Sequence, residues 1–154
     1  MNSYKIVFMG TPEFAVPSLE GLMAGPDKVV AVVTQPDRPK GRGRKLSPSP
    51  IQVLAEKAGI YILQPDKARS AEFLSQVRVL VPDLLVVAAY GQILSQELLN
   101  IPRIMPINVH GSLLPAYRGA APIQWAIIQG DTETGITIME MDAGMDTGPV
   151  LLQK

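Results

Sequence analysis

Lys5-Ile6-Val7-Phe8-Met9-Gly10-Thr11-Pro12-Glu13-Phe14 is the stretch that decides the fold class. The apolar run Lys5–Met9 predicts a first strand, and Gly10-Thr11-Pro12 ends it. Thr11 is placed to cap a helix, with Pro12 at the first helical position and Glu13 in the first turn. Phe14, Val16, Leu19 and Leu22 then recur at helical spacing. A strand, a glycine turn and a helix in that order open a βαβ unit.

The same alternation continues along the chain. Val29–Val33, Tyr61–Leu63, Leu84–Ala88, Ile104–His110, Ile136–Met141 and Val150–Leu152 are predicted strands. Helices are predicted over Ile51–Ala58, from a Ser70 cap to about Leu80, and after Pro122 through Trp125 and Ile128. Thr34–Pro50, rich in Pro, Gly and basic residues, is expected as a loop. Strands alternating with helices give an α/β chain. The expected fold is a Rossmann-like, mostly parallel twisted sheet with helices on both faces. A ligand then belongs at the carboxyl ends of the strands, where strand order reverses. Gly10, Tyr90 and His110 are all placed at such ends. The final Pro149–Lys154 stretch reads as a strand without cap, turn or polar tail, so a fragment of a longer protein is expected.

Composition removes several function classes. The 154 residues fit one domain, and 47% hydrophobic with 18% charged residues argue against disorder. The net charge is formally zero, so no global basic field attracts nucleic acid. The basic residues are nevertheless clustered: Arg38, Lys40, Arg42, Arg44 and Lys45 are five of the 14 Lys and Arg. No cysteine is present, which excludes disulfides, thiolate metal sites and thiol nucleophiles. With one histidine, a transition-metal site is not expected. The longest apolar run, Leu84–Tyr90, is far short of the ~20 residues that span a bilayer. Ile6–Met9 is too brief for a secretory signal. A cytoplasmic monomer is expected.

Three features carry chemistry. On a strand, Asn108 and His110 point to the same face, ~6–7 Å apart. Two polar side chains on an otherwise apolar strand need partners if buried. An Asn amide can donate to a developing oxyanion, and a His can take or give a proton, so the pair suits attack on a carbonyl. The plainer reading, a hydrogen-bonded strand end, stands level with it on spacing alone. Asp142-Ala143-Gly144-Met145-Asp146-Thr147-Gly148 puts two carboxylates on a tight loop. Either Asp can orient His110, or either can serve only as a turn former. The EF-hand pattern is not matched. The cations of the 34–50 segment suit phosphate contacts, or form a solvated loop. That segment fits neither a Walker A loop nor the dinucleotide fingerprint. Without a G-x-S-x-G elbow or a thiol, direct transfer through a tetrahedral intermediate is favoured over a covalent acyl-enzyme.

Taken together, Gly10–Ala15, Thr34–Pro50, Val86–Gly91, Ile107–Gln124 and Gly135–Gly148 resemble the N-terminal domain of the methionyl-tRNA formyltransferases. The resemblance covers essentially the whole chain. It implies the formyltransferase fold, with residues 1–154 as the catalytic domain and 34–50 as a basic insertion. It implies transfer of a formyl group from 10-formyltetrahydrofolate to the α-amino group of methionine on initiator tRNA. Asn108, His110 and Asp146 fall on the family's catalytic positions. Asp146 is favoured over Asp142 because it begins the Asp-Thr-Gly-Pro-Val end of the motif. Ser112, Leu113, Leu114 and Pro115, with the Ala89-Tyr90-Gly91 backbone, resemble the folate-binding wall. Arg38, Lys40, Arg42, Arg44 and Lys45 resemble the insertion that reaches the tRNA acceptor end. Family members are about twice this length and add a β-barrel domain. Related enzymes that formylate a small nucleotide amine would share the same trio, and the basic insertion favours tRNA among these acceptors.

Overall fold

The computed structural model describes residues 3–43 and 45–154, so the expectation for Arg44 lies outside the described residues. The elements are β1 (Lys5–Gly10), a 3-10 turn (Glu13–Ala15), α1 (Val16–Ala24), β2 (Lys28–Val33), β3 (Arg38–Lys40), β4 (Lys45–Ser47), α2 (Pro50–Lys57), β5 (Ile62–Leu63), α3 (Ala71–Leu80), β6 (Leu84–Ala88), α4 (Gln96–Leu99), β7 (Met105–His110), α5 (Pro122–Gln129), β8 (Thr137–Glu140) and β9 (Val150–Gln153).

Among the described residues, seven strands form one sheet in the order β5-β2-β1-β6-β7-β8-β9. The first five run parallel, while β8 is antiparallel to β7 and β9 to β8. This is an α/β, mostly parallel sheet with helices on both faces. From β1 the chain moves outward to β2 and β5, then crosses to β6 on the other side of β1. Strand order therefore reverses between β1 and β6.

The central strand explains the uninterrupted apolar run. Ile6, Val7, Phe8 and Met9 are all essentially inaccessible to solvent. Ile6 and Phe8 pack with Leu19 of α1 and Ile51 and Ala55 of α2. Val7 and Met9 pack on the opposite face with Phe73, Leu74 and Val77 of α3 and with Leu98 and Leu99 of α4. Because both faces are covered, neither set of alternating positions can be polar. Gly10 closes the strand where a Cβ would lie 2.8 Å from Ala15 Cβ and 2.9 Å from Ala88 O.

The structure departs from the sequence reading in three places. Thr11 does not cap the following helix: its hydroxyl donates to Tyr90 O at 2.8 Å, and Pro12 precedes a 3-10 turn with no side-chain cap. A carbonyl from the loop after β6 outcompetes the local amides. Residues 34–50 are not wholly loop, because β3 and β4 form an antiparallel hairpin. Three-residue strands, one containing Pro39, show no alternation to detect. The one-turn α4 starts on Ser95, whose Oγ accepts from Leu98 N at 3.2 Å, and it is too short to show a period. The last two strands reverse direction, which apolar runs alone do not encode. Among the described residues, no helix is long and apolar enough to cross a membrane.

Tyr90 is the largest fully buried side chain and packs in the cluster beneath α3. Its hydroxyl has no hydrogen-bond partner among the described residues. Burial pushes the phenol up to about 12. An unfolded tyrosine ionises near 10, so between pH 10 and 12 only the unfolded chain gains the charge. The stability tied to Tyr90 is full below pH 10 and is lost as the pH rises toward 12. Tyr90→Phe is expected to hold or raise stability at pH 7 by up to about 1 kcal/mol, since it removes an unpaired buried hydroxyl. It should also flatten the alkaline loss. Urea unfolding at pH 7 and pH 11 checks both, and a clear loss of stability at pH 7 would contradict the assignment.

Candidate active site

β7 carries the polar pair. Its register with β6 sets Asn108 beside Val87, a residue of the α3-side cluster. Val109, between the two polar residues, packs in the opposite cluster. Asn108 and His110 therefore share the α3 face, as strand alternation requires. His110 is only 6% exposed.

Asp146 meets both members of the pair. Its Oδ2 lies 3.6 Å from His110 Nδ1, and its Oδ1 lies 3.5 Å from Asn108 Nδ2. Those separations are long for hydrogen bonds and act as electrostatic contacts in a sheltered site. The tight contact on Asp146 is from Gly119, whose N–H donates to Oδ2 at 2.7 Å. Asp142 does something else. Its Oδ1 accepts from Thr147 Oγ1 at 2.7 Å and from Gly144 N at 2.9 Å, and these bonds hold its carboxyl below the usual carboxylate range. One aspartate thus builds the loop and the other faces the histidine.

The other ring nitrogen of His110, Nε2, lies 2.8 Å from Tyr117 O. A carbonyl only accepts, so Nε2 carries a proton. Nδ1 faces a second acceptor, the Asp146 carboxylate. A neutral ring satisfies one of these acceptors, and the doubly protonated ring satisfies both.

The loop after His110 is held from β8. Thr137 pairs with His110 across the β7–β8 ladder and is completely buried. Its hydroxyl donates to Ser112 O at 2.7 Å and accepts from Leu114 N at 3.0 Å. Gln153 of β9 adds a bond to Leu114 O at 2.8 Å. Tyr117 is tied down by its phenol, which donates to Asp131 Oδ2 at 2.6 Å. That bond raises the Tyr117 phenol above its ordinary value.

The remaining sequence-predicted residues fall into two groups. Ser112 and Leu114 are buried, Leu113 and Pro115 are exposed, and the Ser112 hydroxyl donates to Ala116 O at 2.6 Å. In the turn after β6, Ala89 (φ +48) and Gly91 (φ +97) are exposed, while Tyr90 points into the core. Arg38 and Lys40 lie on β3, Arg42 on the hairpin turn and Lys45 on β4, and Arg38, Arg42 and Lys45 are exposed. A cavity of about 410 Å³ opens between the β6 turn and the hairpin base, lined by Thr11, Gln35, Arg38, Ser49, Ala89 and Gly91 among others. It sits at the carboxyl ends of β2, β1 and β6, at the reversal of strand order. Thr137, Tyr117, Gly119 and Gln35 escape the sequence reading. Tyr117 and Gly119 act through main-chain atoms, which residue type does not reveal.

A sequence model of the family described as formyl transferase matches residues 4–154. The methionyl-tRNA formyltransferase of Desulfotalea psychrophila is 62% identical over 153 residues, which are 99% of this chain and 47% of that protein. That of Geobacter metallireducens is 60% identical over 154 residues, 100% of this chain and 50% of that one. The chain spans about half the length of the curated relatives it matches. Among solved structures, glycinamide ribonucleotide transformylase 1 from Geobacillus kaustophilus aligns with a TM-score of 0.77 at 25% identity, covering 99% of this chain and 82% of that one.

The support under His110 gives a direct expectation. Thr137→Val keeps the side-chain shape but leaves Leu114 N–H and Ser112 O without their buried partner. The expected cost is about 2 kcal/mol in chemical denaturation. Unchanged stability would mean that the loop is held elsewhere.

Proposed function

The chain belongs to the formyl transferase family, and from that premise we propose that it carries the chemistry of formyl transfer from 10-formyltetrahydrofolate to the α-amino group of methionine on initiator tRNA. The observation that carries this reading is the convergence of Asn108, His110 and Asp146 on one sheltered spot at the end of β7. In this reading residues 1–154 form one catalytic domain, with 34–50 as an insertion toward the tRNA, working as a cytoplasmic monomer.

The folate donor, when bound, supplies an activated formyl carbon attached to a nitrogen leaving group. The turn after β6 fits such a flat polar molecule. Two left-handed residues, Ala89 and Gly91, turn the main chain outward there while Tyr90 anchors it from below. In this reading Leu113 and Pro115, both exposed, supply apolar contact to the donor.

The chemistry follows from the partners. Attack of the amine turns the formyl oxygen into an oxyanion and leaves a positive charge on the attacking nitrogen. The Asn108 amide donates to the formyl oxygen. The Nε2–H of His110 answers the growing charge, because an oxyanion is a stronger acceptor than the Tyr117 carbonyl it displaces. Asp146 fixes the ring and passes the proton from the attacking nitrogen to the departing folate nitrogen. The carbonyl re-forms as the bond to folate breaks, giving a formamide and tetrahydrofolate. No covalent enzyme intermediate is needed.

His110→Ala is expected to abolish formylation of charged initiator tRNA while calorimetric binding of 10-formyltetrahydrofolate persists. A variant with a near-normal rate would remove His110 from the mechanism. Arg42→Ala should weaken use of the tRNA and its salt dependence with little effect on folate affinity. If this chain, and a chain of the relatives' full length, formylates a small nucleotide amine and ignores charged tRNA, the proposed acceptor is wrong. Folate binding without turnover at either length would favour a binding module over an enzyme.

A further inference from the structure

Gln35 is a buried amide with an unusual set of neighbours. It directly follows Thr34 at the end of β2, is 6% exposed, and lies on the wall of the cavity. Its Oε1 accepts from Gln92 Nε2 at 3.1 Å and from Arg38 Nη2 at 3.3 Å. Its main chain is held as well: the N–H donates to Thr11 Oγ1 and the carbonyl accepts from Gln64 Nε2, both at 3.3 Å. Gln92 is itself fixed, donating to Asp66 O at 3.1 Å and accepting from Ala68 N at 2.8 Å. Gly91 leaves room for the arrangement, since a Cβ there would lie 3.2 Å from Gln35 Nε2.

One amide oxygen therefore joins the loop after β6 to the first residue of the basic hairpin. A buried polar network of this kind is costly when half satisfied and specifies one geometry when complete. Its effect differs among the cations. The side chains of Arg42 and Lys45 are exposed and make no hydrogen bond or ion pair among the described residues, so they act as long-range steering charges. Arg38 is held against the cavity rim. Neighbouring strands lie about 4.8 Å apart, so a cavity spanning the ends of β6, β1 and β2 runs from roughly 5 to roughly 15 Å from the end of β7. A phosphate near Arg38 is thus set back from an amine at His110 by up to three strand spacings, roughly 15 Å.

We infer that Gln35 is a positioning residue that fixes Arg38 at the cavity rim to receive a backbone phosphate of the RNA acceptor near its reacting end. The inference rests on the tRNA reading above. Arg38 is the contact, and Gln35 and Gln92 act through it. The loss of any one of the three removes the same phosphate contact.

The test measures binding of an RNA stem-loop with a single-stranded 3′ end to the full chain, by fluorescence anisotropy across a salt series. Arg38→Ala is expected to weaken binding about tenfold and to reduce the salt slope by about one. Gln35→Leu and Gln92→Leu are expected to do the same. Each double variant with Arg38→Ala should be no weaker than the single variants, which is the signature of one shared contact. A purely structural role for Gln35 would instead leave the Arg38→Ala effect intact in the Gln35→Leu background. Gln92→Leu carries the same cycle if Gln35→Leu does not fold. Wild-type binding with an unchanged slope in both glutamine variants, or fully additive losses, overturns the inference alone. Absence of salt-dependent RNA binding by the wild-type chain overturns the tRNA reading and the inference together.

Discussion

The contact of the Asp146 carboxylate with the polar face of β7 is the constraint around which the carboxyl end of this sheet is built. A parallel sheet covered on both faces accepts polar side chains only where something answers them. Asn108 and His110 interrupt the apolar α3 face at the strand that borders the covered region. The answer comes from two loops at once. Tyr117 O and Gly119 N of the loop after β7, and Asp146 from the loop after β8, close around the pair. Thr137 and Gln153 then secure the first of those loops to the sheet. The site is thus one polar part of the core, in which groups from two neighbouring loops hold an imidazole between two acceptors.

The central strands β1, β2 and β6 were legible because their inner residues are buried whichever face they point to, so apolar runs coincide with them to within a residue or two. Asn108 and His110 were legible for the related reason that strand alternation has a period of two. The choice between Asp142 and Asp146 was not. Both are Asp in a Gly-containing turn, and only the resemblance separated them before the geometry did. What distinguishes them is conformational. Asp146 adopts a left-handed backbone at φ +54, whereas Asp142 spends its carboxylate on Thr147 and Gly144. Short polar residues tolerate that region, so no sequence signal marks it. Thr11 failed in the opposite sense. A hydroxyl before Pro-Glu is chemically fit to cap a helix, and equally fit to bond a carbonyl 79 residues away.

The glutamines illustrate a further limit. Gln35 and Gln92 are 57 residues apart and each is unremarkable as a residue type. They meet because β2, β1 and β6 run parallel side by side, which brings their carboxyl ends to one edge. The reversal of strand order between β1 and β6 opens the cavity there. Topology, rather than any motif, makes the base of the basic hairpin a neighbour of the turn after β6.

The direction of β8 explains why the loop after it needs its glycines. Because β8 runs antiparallel to β7, its last residue, Glu140, pairs with Ile107, and the chain has moved away from His110. To bring a carboxylate back to His110, the 142–148 segment must return along the α3 face by three residues of β7, roughly 10 Å. A Cβ on Gly144 would collide with Thr147 Oγ1, and one on Gly148 with the Glu140 carbonyl. The left-handed Asp146 sits between them at the point of return. A fully parallel continuation would have ended β8 level with His110 and required no such fold-back. The antiparallel turn of the sheet and the glycine-bounded loop are therefore one device, which seats a carboxylate from a distant segment against the only histidine in the chain.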